Sequence, residues 1–434
     1  MASSSSLREY WRLARHNRNF RRLWTAQIVS ELGDWFYAVA IYALLYEYTG
    51  KASSLAVAII LQVLPQALVT PFVGPVADRV SRKRLMIAAD VARAGIVAAM
   101  LLVRGPETAW IVYPLLFAET VMAAFFEPAR IAVIPNITGD EKAVVANTLA
   151  SATWSMNFAV GAVLGGVAAA YLGRDAVFLI NAASFLASAV LIGRMDFTEP
   201  HLETAPPLRA RDLLDFSDMR SGLRYIRSDR RLLATVLAKA GIGVVGGTFV
   251  IFPVLGMKVY PPMRPGMPAE AAGTLAMSFL LGSRGLGALL GPLATASWAG
   301  NVARRLRWCI LAGFAAAGIG YFLLGFAPNL LLACAVVVFA ASGTSIVWVY
   351  TTTLLQVHSE DRFRGRVFAV DYGVVTLAIS VVAWVAGVAA DGGVSPQWIA
   401  HGLGVFMVLP FAAWVWGMRK WSQPAVGSRQ RLSS

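Results

Sequence analysis

The apolar residues of this chain gather into twelve runs, each of the ~20 residues that carry an α-helix across a ~30 Å hydrocarbon core. They lie at roughly 23–48, 53–75, 85–103, 109–129, 147–172 and 175–193, then at roughly 232–257, 271–296, 308–326, 329–353, 367–390 and 398–418. In lipid the backbone must satisfy its own hydrogen bonds, so isolated apolar runs of this length are helices. An apolar fraction of 57%, with 14% charged residues and a mean hydropathy of +0.62, excludes a soluble domain. The expected fold class is all-α integral membrane, with twelve transmembrane helices. A single long polar segment divides them into two six-helix bundles. The expected division is a tail over 1–22, a bundle over 23–193, a linker over 194–231, a second bundle over 232–418 and a tail over 419–434. Residues 213–227 of the linker alternate apolar and basic residues at near-helical spacing, which suits either a helix on the membrane surface or a solvated linker.

The net charge of +14 would suggest nucleic acid in a soluble protein. Here the bases sit in short loops, where they set topology and meet anionic lipid, so a bilayer and no nucleic acid is expected as partner. Of the 38 Lys and Arg residues, 30 fall on the side of the N-terminus and five on the other. That asymmetry predicts both termini in the cytoplasm. The first 22 residues lack a short apolar core before a cleavage site and read as a cytoplasmic tail leading into a retained span. Cys309 and Cys334 both fall in apolar runs as small packing residues, so neither a disulfide framework nor a metal site is expected. Of the four histidines only His401 lies in a span, no nucleophile–base set accompanies it, and no phosphate-binding loop is present. An enzyme, a cofactor and ATP as the energy source are therefore not expected. A receptor or scaffold would need a soluble output domain, which the spans leave no room for.

The halves echo each other. Gly74-Pro75 ends the second span ahead of Arg82-Lys83-Arg84, and Gly291-Pro292 falls near the end of the eighth ahead of Arg304 and Arg305. Such an echo is expected of parallel repeats related by an axis along the membrane normal.

Ionisable groups near the bilayer centre cost roughly 3 kcal/mol or more, so each calls for a reason. On span 1, Gln27, Glu31, Asp34, Ala38 and Tyr42 share one helical face, opposite Ile28, Leu32, Phe36 and Val39. Asp34 lies about 16 Å from the start of its run and Glu119 of span 4 about 15 Å from its own. Two carboxyls at one depth can meet in one cavity, where burial and mutual repulsion favour reversible proton binding. Structural ion pairs are the alternative for Asp34, Glu119 and Glu31. Lys239 and Arg284, on spans 7 and 8, either hold an anionic substrate group or pair with those acids; guanidinium keeps its charge, which makes Arg284 a clamp rather than a proton carrier. Asp90 and Arg93 can pair at i, i+3. With Gly74, Asp78, Arg79, Arg82, Glu127 and Asp371 they are candidates for a gate at the cytoplasmic face. Trp348, Tyr350 and Thr351 to Thr353, with Trp35 and Tyr42, form either an aromatic cavity wall or ordinary packing.

The loop Gly74-Pro75-Val76-Ala77-Asp78-Arg79-Val80-Ser81-Arg82-Lys83-Arg84 resembles the signature between helices 2 and 3 of the major facilitator superfamily, with Val76 for the usual Leu and Ser81 for the usual second Gly. Further segments resemble the drug–proton antiporter branch of macrolide efflux pumps and the enterobactin exporter. They are Asn19-Phe20-Arg21-Arg22-Leu23-Trp24, Gly33-Asp34-Trp35, Phe126-Glu127-Pro128-Ala129, Asn181-Ala182-Ala183-Ser184-Phe185, Arg284-Gly285-Leu286-Gly287 and Arg364-Gly365-Arg366-Val367-Phe368-Ala369. Gly161-Ala162-Val163-Leu164-Gly165-Gly166 resembles the superfamily's antiporter signature, with Ala162 in place of proline, and its small residues predict a close packing seam. The resemblance implies spans 1, 4, 7 and 10 around a central cavity.

The expected function is a secondary active transporter of the bacterial inner membrane, working by alternating access. The expected activity is efflux of an amphipathic small molecule (a drug, macrolide or siderophore-like compound) in exchange for protons, by a chain that works as a monomer. A flippase for lysophospholipid or another lipid-like cargo, without proton coupling, is the alternative, and nutrient uptake the third.

Overall fold

A computed structural model describes residues 7–77, 79–200, 202, 217–260, 266–300, 302–360 and 363–421. Among them there is no β-strand, and twelve helices are long and apolar enough to cross a membrane. Spans 1 to 6 are Arg18–Thr49, Ala52–Ala77, Arg82–Leu102, Pro106–Thr138, Val145–Leu172 and Arg174–Gly193. Spans 7 to 12 are Arg230–Lys258, Ala269–Ala299, Ala303–Leu324, Leu330–His358, Arg364–Asp391 and Pro396–Met418. The count equals that of the twelve apolar runs of the sequence.

Polar side chains punctuate the helices where their first N–H groups need acceptors. Asn17 accepts from Phe20 N, Ser81 from Arg84 N, Asp229 from Arg231 N and Asn329 from Leu332 N. Gly50 ends span 1 at φ 64°, a left-handed conformation that glycine adopts without strain. Several bounds differ from the apolar pattern, those of spans 1 and 4 among them. Span 1 begins at Arg18, because Asn17 caps it and Asn17 Nδ2 also donates to Ile137 O at 2.6 Å, tying that end to span 4. Span 4 runs on to Thr138, through Pro128 and Pro135, well past its apolar stretch. Span 7 is not continuous: a turn of 3₁₀ helix at Ala240–Gly243 separates Arg230–Lys239 from Val244–Lys258.

The same partners recur in both halves. Span 1 packs on spans 5 and 6, and span 7 on spans 11 and 12; spans 2–4, 3–6 and 3–4 correspond to 8–10, 9–12 and 9–10. Two extensive contacts join the halves, span 5 on span 8 and span 2 on span 11, again related by the repeat. Spans 4 and 10 pack extensively only within their own halves. The span 5–8 seam needs glycine: a Cβ on Gly285 would stand 2.5 Å from Ala159 N. Gly161 and Gly165 face Trp35 and Phe36 of span 1, while Gly166 faces Ser278 of span 8, so the small-residue run of span 5 is a packing seam on two sides.

The termini and the linker share one face, the terminal face. On the opposite face the halves are clasped: both carboxylate oxygens of Asp391, ending span 11, accept the Ala52 and Ser53 N–H groups that begin span 2, at 2.7 and 3.1 Å. Nearer the middle, the Tyr372 hydroxyl donates to Gln66 Oε1 across the same seam. In the linker, a helix over Ser217–Ser228 packs on the start of span 11, with the Tyr225 ring stacked on Phe363 at 4.3 Å. Residues 213–216 of the expected linker helix lie outside the described residues.

Candidate transport site

Span 6 sets the geometry at the centre of the N-terminal half. Gly33 is pressed so closely against it that a Cβ there would stand 2.3 Å from Asn181 Oδ1 and 2.4 Å from Ser184 Oγ. The next residue, Asp34, midway along span 1, therefore shares a small space with Asn181, Tyr37, Glu119 of span 4 and Arg93 of span 3. Asp34 and Glu119 are partly exposed. Arg93 is buried, paired with Asp90 and sandwiched between the rings of Phe126 and Phe185, 4.6 and 4.2 Å from their centroids. Three acids thus stand against one base. Ser188 faces Asp90 and Asn181 faces Asp34, while Arg93 Nε and Tyr37 OH are buried with no hydrogen-bond partner.

Glu31 belongs to a second network, nearer the terminal face. It accepts from Gln27 Nε2 at 2.8 Å and from Asn157 Nδ2 of span 5 at 2.9 Å. Gln27 Oε1 accepts from Arg130 of span 4 at 3.2 Å, and Arg130 pairs with Glu127 at 2.7 Å. Polar groups of spans 1, 4 and 5 are thereby chained together within one half.

In the C-terminal half Lys239 and Asp371 are paired at 2.5 Å, with side chains 3% and 2% exposed. Lys239 also donates to Thr352 Oγ1 at 3.0 Å and lies over the Trp348 ring at 4.4 Å. Spans 7, 10 and 11 meet there, directly before the break in span 7. Asp371 is enclosed in its own half, and the residue expected with the gate is joined to the one expected at the cavity.

Arg284 lies at the middle of span 8, fifteen residues from either end. Its guanidinium is over Phe249 of span 7 at 4.8 Å and Phe158 of span 5 at 5.4 Å. Tyr42 of span 1 and Tyr321 of span 9 face it. Trp35 stacks on Phe158 at 3.8 Å, with Trp154 5.8 Å from the same ring. The aromatic residues therefore form two groups: Trp35 and Tyr42 gather with Phe158 and Phe249, whereas Trp348 covers Lys239 and Tyr350 shares a 2.8 Å hydrogen bond with Thr295.

The basic loop after span 2 is held by a residue that sequence reasoning missed. The Glu199 carboxylate, just beyond span 6, accepts from Ser81 Oγ at 2.6 Å, Arg82 N at 2.7 Å and Lys83 N at 3.4 Å, at the N-terminus of span 3. Arg82 reaches Ala132 O of span 4 at 3.1 Å, and Arg79 N bonds back to Val76 O. Gly74 lies within the span 2 helix, and Asp78 lies outside the described residues. Asn181 and Arg130 were also missed as site residues. Asn181, Ser184 and Ser188 recur on one face of span 6, and Glu127 and Arg130 stand at i, i+3; both spacings were open to inspection. Glu199 carries no such signal, since its partners lie over a hundred residues away in sequence.

The family described as "transmembrane secretion effector" matches residues 13–432. The chain belongs to that family. The transporter is 26% identical over 369 residues to macrolide efflux protein A of Streptococcus pyogenes, which covers 83% of this chain and 87% of the relative. It is 22% identical over 364 residues to the putative bacilysin exporter BacE of Bacillus subtilis (strain 168), covering 84% and 86%. The crystal structure of the nucleoside transporter NupG superposes with a TM-score of 0.70 at 12% identity, over 92% of this chain and 99% of that one. The transporter is thus a multi-pass bacterial inner-membrane protein of a family with efflux members.

Proposed function

We propose that this chain exports an amphipathic small molecule in exchange for protons, by alternating access of one cavity to the two faces. The observation that carries this reading is the cluster of Asp34, Glu119 and Asp90 around the single cation Arg93. Unmatched negative charge opposes enclosure in a dry cavity, and taking up a proton removes that opposition. Asp34 is the proton carrier in this reading, with Glu119 sharing the site, and the chain from Glu31 through Gln27 to Arg130 leads toward the terminal face. Lys239 and Asp371 neutralise each other and anchor span 7 beside its 3₁₀ turn, where mid-helix irregularity suits a hinge. The 30-to-5 distribution of bases supports a cytoplasmic terminal face, with Gly74, Asp78, Arg79, Arg82 and Glu127 at its gate. The efflux named for macrolide efflux protein A and for the bacilysin exporter supports the outward direction.

The test uses purified protein in liposomes with a trapped pH-sensitive dye, an imposed pH gradient and a panel of macrolides, siderophores, dyes and lysophospholipids. Proton movement triggered by one compound, and lost in Asp34→Asn while insertion and folding are kept, is expected. Compound movement with no proton flux would remove the coupled reading and leave Asp34 as a binding or structural residue.

A further inference from the structure

Of the four described cations more than five residues from the end of a span, three have a carboxylate partner: Arg93 has Asp90, Arg130 has Glu127 and Lys239 has Asp371. The exception is Arg284. No described carboxylate pairs with it, its Nε is buried without a hydrogen-bond partner, and the only hydroxyls that face it are those of Tyr42 and the buried Tyr321 among the described residues. Two aromatic faces attract the guanidinium, but ring quadrupoles do not replace a counter-ion for a charge held at the middle of a span. The position is not peripheral either: Phe158 comes from the first half and Phe249 from the second, so Arg284 stands where the two meet.

We propose that Arg284 is the anion-recognition residue of this transporter and that its substrates carry a carboxylate beside an aromatic or other flat apolar body. The proposal rests on the transport reading above and adds the substrate class. Guanidinium presents Nε and Nη as a planar fork that matches the two oxygens of a carboxylate. The two tyrosines beside it are engaged elsewhere or enclosed: Tyr42 donates to Gln62 Oε1 at 2.6 Å, and Tyr321 is fully buried. The stack of Trp35 on Phe158 continues the surface away from the cation and offers an apolar shelf. Protons are handled by Asp34 and Glu119 in the other half, so substrate charge and proton charge occupy separate groups. Loading the acids therefore does not require Arg284 to change its own charge.

The test measures binding at equilibrium, with no gradient, on the full chain in neutral detergent. The probes are 4-(4-bromophenyl)butanoate and its primary amide, read by bromine quenching of tryptophan fluorescence. Saturable quenching by the carboxylate at a concentration at least about tenfold below that of the amide is expected. Arg284→Gln is expected to abolish the difference and Arg284→Lys to keep part of it. Because Arg284 is unpaired, Arg284→Gln is also expected to leave the unfolding temperature of the unliganded protein unchanged or raised. Equal quenching by the two probes on the wild-type protein, a carboxylate preference that survives in Arg284→Gln, or displacement of the probe by dilute phosphatidylglycerol would each overturn the proposal. A carboxylate preference without proton flux would leave this inference standing and remove proton coupling. Proton-coupled movement of neutral compounds, with no carboxylate preference, would do the reverse.

Discussion

Lys239 and Asp371 carry opposite charges into a site from which water is almost entirely excluded, and each is tolerable only because of the other. Lys239→Met is expected to destabilise the protein by about 3–5 kcal/mol, because it strands a carboxylate. The double variant Lys239→Met, Asp371→Leu is expected to recover most of that loss, since an apolar pair of similar volume needs no compensation. Thermal unfolding of both in detergent checks this, and a double variant no better than the single would refute it. Gly33 illustrates a different constraint. It permits the approach of span 6, so Gly33→Val is expected to cost about 1–3 kcal/mol by overpacking and to push Asp34 off Asn181. A variant with wild-type stability and wild-type proton coupling would show that spans 1 and 6 can part without consequence.

At the level of elements, capping decides where the basic loop sits. Span 3 begins with Ser81 as its own cap, and Glu199 adds a carboxylate to the positive end of the same helix. Glu199→Ala is expected to cost about 1–2 kcal/mol and to slow transport by loosening the loop, while binding in the cavity is unchanged. Lost binding with normal turnover would contradict that assignment. Span 7 shows how glycines act together with a charge: the helix breaks directly after the Lys239–Asp371 pair, and Gly246 lies so close to span 11 that a Cβ would stand 2.0 Å from Ile379 O. The segment is thereby fastened on one side and irregular on the other, which suits an element that bends during the cycle.

The whole molecule is two copies of one packing pattern joined along spans 2–11 and 5–8, with the opposite face clasped by Asp391. Its orientation is testable. After replacement of Cys309 and Cys334, Lys51→Cys is expected to react with a membrane-impermeant maleimide on intact cells, and Arg230→Cys only after the membrane is opened; the converse would invert the topology. The number of spans, their approximate limits and the repeat were legible in the sequence, because crossing lipid imposes a length and an apolar composition that no tertiary context overrides. The polar stripe on span 1 was legible for the same reason: in an apolar helix a row of acids and amides stands out by period alone. Partner choice was not. Only Arg93, with Asp90 at i, i+3, carried a local signal of its partner; nothing local tells that Arg284 meets aromatic rings or that Asp371 answers Lys239. Those assignments depend on which helix faces come together across more than a hundred residues. Composition and periodicity thus determined a twelve-helix membrane protein with charges at its centre. The tertiary structure alone decided which charges on different helices neutralise each other, because such pairing is set by interhelical distance, and sequence spacing records only distance along one helix.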